Sequence, residues 1–172
     1  MLPMIGALRP WTDPTQLQID RLPMRASLPV GDDARRSLDG GWRFQLFDAP
    51  ELVSAGAVTG PTPDDGGRWR TLAVPGNWTM QIPDDLPHYT NIQMPFPGPP
   101  PELPARNPTG VYRRAFTIGR GWKRHRVVLH VAGAESVHAV YLNDRFVGYG
   151  TDSRLPSEYD VTDLVQSGEN HL

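Results

Sequence analysis

Three observations predict an all-β protein. No stretch of the 172 residues sustains a helical apolar period over three turns. Several short runs instead alternate in polarity or are rich in β-branched and aromatic residues, the composition of strands. The chain also carries 17 glycines and 19 prolines, heavy for a helical protein and enough to imply long loops. A chain of this length can bury one apolar core. It contains no cysteine, so the fold has to stand on packing without disulfides.

Residues 1–36 are too irregular to read as more than an arm, which leaves residues 37–172 as the folded domain. Its first strand is "WRFQLF" from Trp42, followed by "VYRRAFTI" from Val111. In the second run Tyr112, Arg114, Phe116 and Ile118 share one face, and Val111, Arg113, Ala115 and Thr117 share the other. Register decides which of these faces meets the core. "RVVLHVAG" from Arg126, "SVHAVYLN" from Ser136 and "RFVGYG" from Arg145 complete the clear strands. Asn143-Asp144 separates the last two and can take the positive φ angles of a tight antiparallel hairpin. From Val74 to Gly110, repeated prolines remove ladder donors and rule out a central strand. A connection this long inside a domain is functional when it is ordered, and Trp78, Tyr89 and Phe96 argue for a loop packed on a surface. "DLVQSGENHL" passes from a turn through Ser167-Gly168 into the start of a further strand, so the domain is expected to be incomplete, with its final strands missing. An edge left without its neighbour favours pairing with another chain, hence a homo-oligomer.

A net charge of -2 offers no basic footprint for nucleic acid, and no apolar stretch reaches membrane-spanning length. The beginning, "MLPMIGALRPW", has no basic residue before its apolar run, which Pro3 and Gly6 interrupt, so no secretory signal is expected. Together with the missing cysteines this predicts a cytoplasmic protein. Nucleophile elbows, phosphate loops and metal-ligand spacings are absent. "GYGTDS" fails as a dinucleotide loop because Ser153 stands where the third glycine belongs and Pro156 follows. His88, His125, His130, His138 and His171 are scattered and read as hydrogen-bonded structural residues. Glu51, Glu102, Glu135, Glu158 and Glu169 read as solvated surface, so no acid and nucleophile pair is assigned.

Two residues carry two readings each. Asp152 follows two glycines at a strand end, where an aspartate either closes a turn on a nearby backbone N–H or meets a ligand that the glycines allow to approach. Asn91 in "HYTNIQ" is either a turn former or an amide that orients a hydroxylated ligand. Composition alone favours the turn in both cases.

Taken as a set, "VPGNW" at Val74, "YTN" at Tyr89, "NPTGVYRRAF" at Asn107, "GAESVHAVYLNDRFVGYGTDSRLPSEYDVTDL" from Gly133 and "GEN" at Gly168 resemble the amino-terminal domain of bacterial β-galactosidases of glycoside hydrolase family 2. Several motifs in one order carry the resemblance, and "GWRFQLF" extends it toward the amino end. It implies a jelly-roll β-sandwich of the galactose-binding type, packed in the complete enzyme against immunoglobulin-like domains and a (β/α)8 barrel. The family's two catalytic glutamates lie on that barrel, so no residue of this chain is expected to be catalytic. The family's "YTN" Asn and "GTDSR" Asp contact the galactosyl unit, and that Asp helps to hold a sodium ion; by position these are Asn91 and Asp152. Mg2+ is expected on the catalytic domain outside this chain. The resemblance thus implies the substrate-binding domain of a retaining β-galactosidase acting on terminal β-D-galactosides such as lactose, with the remaining domains of the enzyme as partners. A stand-alone carbohydrate-binding module or lectin, and a non-catalytic subunit of a split enzyme, are the alternatives.

Overall fold

A computed structural model of the chain describes residues 1–26, 31, 35–61, 67–89, 91, 96, 98–152 and 154–172. Among them the strands, in chain order, are β1 (Gln18–Ile19), β2 (Gly40–Phe47), β3 (Arg70–Val74), β4 (Thr109–Arg113), β5 (Ala115–Ile118), β6 (Val128–Val131), β7 (His138–Leu142), β8 (Arg145–Gly150), β9 (Ser157–Asp160) and β10 (Gly168–His171). The only α-helical segments among these residues are single turns, Ile5–Leu8 and Ala55–Val58. Every strand pairing is antiparallel. The chain is therefore all-β, and no helix among the described residues is long and apolar enough to cross a membrane. It divides into two compact units, Met1–Thr12 with Asp39–Arg114, and Asp13–Leu38 with Ala115–Leu172.

In the first unit β2 is the central strand between β3 and β4. Phe44, 1% exposed, packs with Leu72 of β3 and Ile82, and a ring cluster of Phe44, Trp78 and Tyr112 covers it. Trp78 sits in a 3-10 turn, Trp78–Met80, and donates its indole N–H to Asp85 at 2.8 Å. The long proline-rich connection is thus anchored on the sheet at Trp78, as its aromatic content predicted. Tyr89 and Phe96, expected to pack likewise, are 72% and 43% exposed. Trp78 stays within one turn of the end of β3 and so reaches the sheet, whereas these two rings lie further along the loop.

The second unit holds three sheets, β1-β8-β7, β10-β5 and β6-β9. Its core gathers Leu142, Val147, Tyr159 and Val161 from β7, β8, β9 and the turn that follows. The hairpin expected at Asn143-Asp144 is present: both residues have positive φ, 49° and 65°, between paired β7 and β8. A register shift between Val140 and Tyr141 marks a bulge in that hairpin. The strand expected after Ser167 is β10, and it pairs with β5.

"VYRRAFTI" does not form one strand. It breaks at Arg114 into β4, which pairs with β2, and β5, which pairs with β10. The Arg114 guanidinium donates to the Gly41 carbonyl at 3.1 Å and lies 5.9 Å from the Trp42 ring centre, so its side chain lies against β2 where the chain changes sheets. Alternation within a run does not reveal such a change, because both halves keep the same period. β1, β3 and β9 were not foreseen. β1 is two residues long, and most residues of β3 and β9 are polar or small.

Candidate functional site

β8 and β9 position Asp152. The chain leaves β8 at Gly150, turns, and re-enters as β9 at Ser157. Gly148 and Gly150 are required by what they touch. A Cβ on Gly148 would lie 2.4 Å from the Tyr159 ring and 2.7 Å from the Ile19 carbonyl, and one on Gly150 would lie 2.9 Å from the His138 ring. Backbone therefore lies directly on Tyr159 and His138 where the turn begins.

Within the turn Asp152 is half-buried, and its Oδ1 accepts a hydrogen bond from the Arg154 backbone N–H at 2.7 Å. This is the turn-closing role that composition favoured. It occupies one carboxylate oxygen, and Oδ2 has no partner among the described residues. A carboxylate has two oxygens, so the turn-closing role of Oδ1 does not conflict with the ligand reading. Ser153, the next residue of the "TDSR" motif, lies outside the described residues.

Beneath the turn, the Tyr159 hydroxyl is 2.9 Å from His138 Nε2. Burial, with the positive charge of Arg21 adding to it, pushes the His138 pKa down to about 4, so the ring is neutral. His138 Nδ1 is buried without a partner among the described residues. Burial also pushes the Tyr159 hydroxyl up to about 12. Arg21 is 8% exposed and donates from Nη2 to the Pro156 carbonyl at 3.3 Å. Sequence reasoning missed Arg21, because it lies in the segment read as an irregular arm.

Glu158 corrects an expectation. Read as solvated surface, it is 3% exposed. Arg25 Nε donates to it at 2.8 Å, and His130 Nδ1 lies 3.1 Å from its other oxygen. Burial alone would raise its pKa, but the hydrogen bonds from Arg25 and His130 outweigh that and hold it below the usual value. It is a structural ion pair tying residue 25 to β9. The histidines were read as hydrogen-bonded structural residues, and His130 and His138 have that role.

Asn91 belongs to the first unit and is exposed. Asp152 belongs to the second. Thr90, which completes "YTN" between Tyr89 and Asn91, lies outside the described residues. Among the described residues no three His, Cys, Asp or Glu side chains come together as a metal-binding group.

Comparison with known proteins places this geometry in a family. Residues 35–172 match the profile described as glycosyl hydrolases family 2, sugar binding domain. A β-galactosidase of Aeromonas hydrophila subsp. hydrophila is 37% identical over an alignment that covers 100% of this chain and 18% of that protein. One of Vibrio cholerae serotype O1 is 44% identical, covering 88% of this chain and 14% of that protein. This chain thus spans less than a fifth of the length of these curated relatives. Among solved structures, a Bifidobacterium dentium β-glucuronidase matches with a TM-score of 0.56 and 27% identity, covering 78% of this chain and 18% of that one. An uncultured Clostridium sp. β-glucuronidase, at a TM-score of 0.62 and 23% identity, covers 84% of this chain and 22% of that one and supports the fold alone. The predicted fold class, an all-β jelly-roll sandwich, therefore stands. On the match over residues 35–172 and the two β-galactosidase relatives, the chain belongs to the sugar binding domain of the glycosyl hydrolases family 2.

Proposed function

We propose that this chain is the substrate-binding domain of a retaining β-galactosidase that hydrolyses terminal β-D-galactosides such as lactose, with the catalytic carboxylates on other domains of the enzyme. The observation that carries the reading is Asp152, whose Oδ1 closes the turn after β8 while Oδ2 has no described partner. A carboxylate oxygen so placed can accept hydrogen bonds from sugar hydroxyls, and the exposed amide of Asn91 can both donate and accept. The galactoside preference rests on relatives named β-galactosidase at 37% and 44% identity.

Asp152 also suits a share in a sodium site, since a hard cation takes oxygen ligands and one carboxylate oxygen is available here. It would supply a single ligand, with the other oxygens coming from backbone, substrate or further domains. Bound there, sodium would provide a fixed positive charge for sugar oxygens. This chain's own part is to hold the carboxylate in the turn and keep it aimed.

The test uses the enzyme that carries this chain, assayed on a chromogenic β-galactoside and the matching β-glucuronide. Turnover of the galactoside alone, lowered in Asp152→Asn and in Asn91→Ala at unchanged denaturation midpoints, is expected. Preference for the glucuronide overturns the substrate assignment. Wild-type kcat/KM in both variants overturns the binding roles.

A further inference from the structure

Two buried nitrogens of the second unit, Arg21 Nε and His138 Nδ1, have no hydrogen-bond partner among the described residues. Native folds leave few such atoms unpaired, and an ordered water or ion commonly accounts for those that remain. The two share one neighbourhood. His138 lies opposite Gly150 in the β7 to β8 pairing, and Gln18 of β1 lies opposite the same glycine on its other side. His138 Nε2 is 2.9 Å from the hydroxyl of Tyr159, which is 0% exposed. Arg21 follows β1, and its Nη2 donates to the Pro156 carbonyl at 3.3 Å, directly before β9. After burial, the positive charge of Arg21 is the next cause acting on the pKa of both His138 and Tyr159, so the guanidinium lies close to that pair.

Charge decides what the orphaned atoms require. Arg21 is 8% exposed, and no ion pair among the described residues includes it. A guanidinium stays protonated and can only donate, and removing it from water without an opposite charge is costly. Glu158, on the same strand as Tyr159, gives its two oxygens to Arg25 and His130. A bridging water would satisfy both orphaned nitrogens but leave the charge of Arg21 unbalanced, whereas an anion does both. Neither nitrogen is open to solvent, so the anion has to be small. A phosphate or carboxylate would bring further oxygens, each in need of a donor, while a halide brings none.

We propose that Arg21 Nε and His138 Nδ1 hold a buried halide ion, chloride under ordinary solution conditions. Only an N–H donates to an anion, so the site fixes the His138 ring with its proton on Nδ1, and Nε2 then accepts from the Tyr159 hydroxyl. The ion ties the segment after β1 to β7 and, through Tyr159, to β9. That segment is otherwise attached by the pairing of Gln18 and Ile19 with β8, by the Thr151 hydroxyl donating to the Leu17 carbonyl at 3.2 Å, and by the Leu22 N–H donating to the Glu158 carbonyl at 2.8 Å. The halide adds a charged tie where Arg21 otherwise meets a neutral carbonyl. It does so whichever sugar the domain takes.

The experiment uses the enzyme that carries this chain, crystallised with bromide in place of chloride, with anomalous scattering measured at the bromine edge. A bromide peak within hydrogen-bond distance of both nitrogens is expected. A water at that place without anomalous signal, or bromide at surface positions only, overturns the proposal. In solution, amide exchange of the peptide carrying residues 17–22 is followed by mass spectrometry in sodium chloride and in sodium methanesulfonate at equal ionic strength. A ligand that binds only the closed form makes opening rarer by a factor of 1 + [L]/Kd, so exchange should slow by about tenfold once chloride stands at about ten times its Kd. Arg21→Met should bring the two salts to the same rate. Equal exchange in both salts for the unaltered enzyme would mean binding at crystal concentration only, and overturns the site. Should Arg21→Met fail to fold, the crystals and the two salts still decide the matter on the unaltered enzyme. Neither readout involves sugar or turnover, so a failure here is distinct from a failure of the proposed function.

Discussion

Asp152 closes its turn through Oδ1, and the proposed function gives it a second role as a ligand of sugar or sodium. Asp152→Asn keeps the shape and the Oδ1 acceptor that closes the turn, but it removes the charge. If the carboxylate binds sugar or sodium, the lost charge-assisted contact is worth about 1.5 to 3 kcal/mol, or roughly one to two decades in kcat/KM. Sodium dependence should weaken in Asp152→Asn and persist in Asn91→Ala, which a titration of kcat/KM against sodium concentration reads directly. Asn170 makes a separate case. It is 0% exposed, and all its side-chain capacity is used: it accepts from Asn143 Nδ2 and the Gln166 N–H, and donates to the Gln166 and Gly168 carbonyls. Asn170→Ala would leave these buried groups unpaired and should destabilise the chain by about 2 to 4 kcal/mol in urea unfolding. This network accounts for the Asn of "GEN", a motif whose sequence alone carried only resemblance.

At the scale of elements, what was legible was local. The Asn143-Asp144 turn could be read because a tight hairpin needs positive φ, and these two residue types tolerate it. The break at Arg114 could not, since it depends on which strands β4 and β5 meet and not on their own pattern. The glycines of β8 lie between these cases. The sequence marked them as places of close backbone approach, but only the fold names Tyr159, His138 and the Ile19 carbonyl as what approaches. Gly148→Ala should therefore destabilise by at least about 1 to 3 kcal/mol, the usual range for overpacking, because the backbone of Ile19 cannot rotate away as a side chain could. A denaturation midpoint equal to wild type would show that β1 yields easily.

At the scale of the whole chain, acid should act in two windows. His138 titrates near 6.5 when unfolded and near 4 when folded. As pH falls below 6.5 the unfolded chain takes up a proton that the folded chain refuses, so up to roughly 3 kcal/mol of stability is lost by about pH 4. His138→Gln should flatten that part of the profile of unfolding midpoint against pH. Glu158 and Asp160 have lowered pKa values, that of Asp160 to about 2, held there by its hydrogen bonds with Thr162 and Arg126. Their contributions are present above the carboxylate range and are lost as pH falls through it, which gives a second, more acidic decline. On the proposed function, catalysis belongs to domains other than this one. The purified chain of 172 residues should not turn over a chromogenic β-galactoside, because the resemblance places both catalytic glutamates on the barrel; measurable turnover free of host enzyme would contradict this.

The sequence by itself determined the all-β class, the hairpin, the long proline-rich connection and, through motifs in a fixed order, the family. These follow from local rules, namely the period of side chains along a strand, the φ limits of proline and the turn preferences of Asn and Asp. Only the tertiary structure decided that Asp152 closes its turn through Oδ1, that Glu158 is buried in an ion pair, and that residues 17–22 hold the turn between β8 and β9. Each of the last two joins residues more than 120 positions apart. No local pattern encodes such a contact, because its energy appears only once packing has brought both partners out of water.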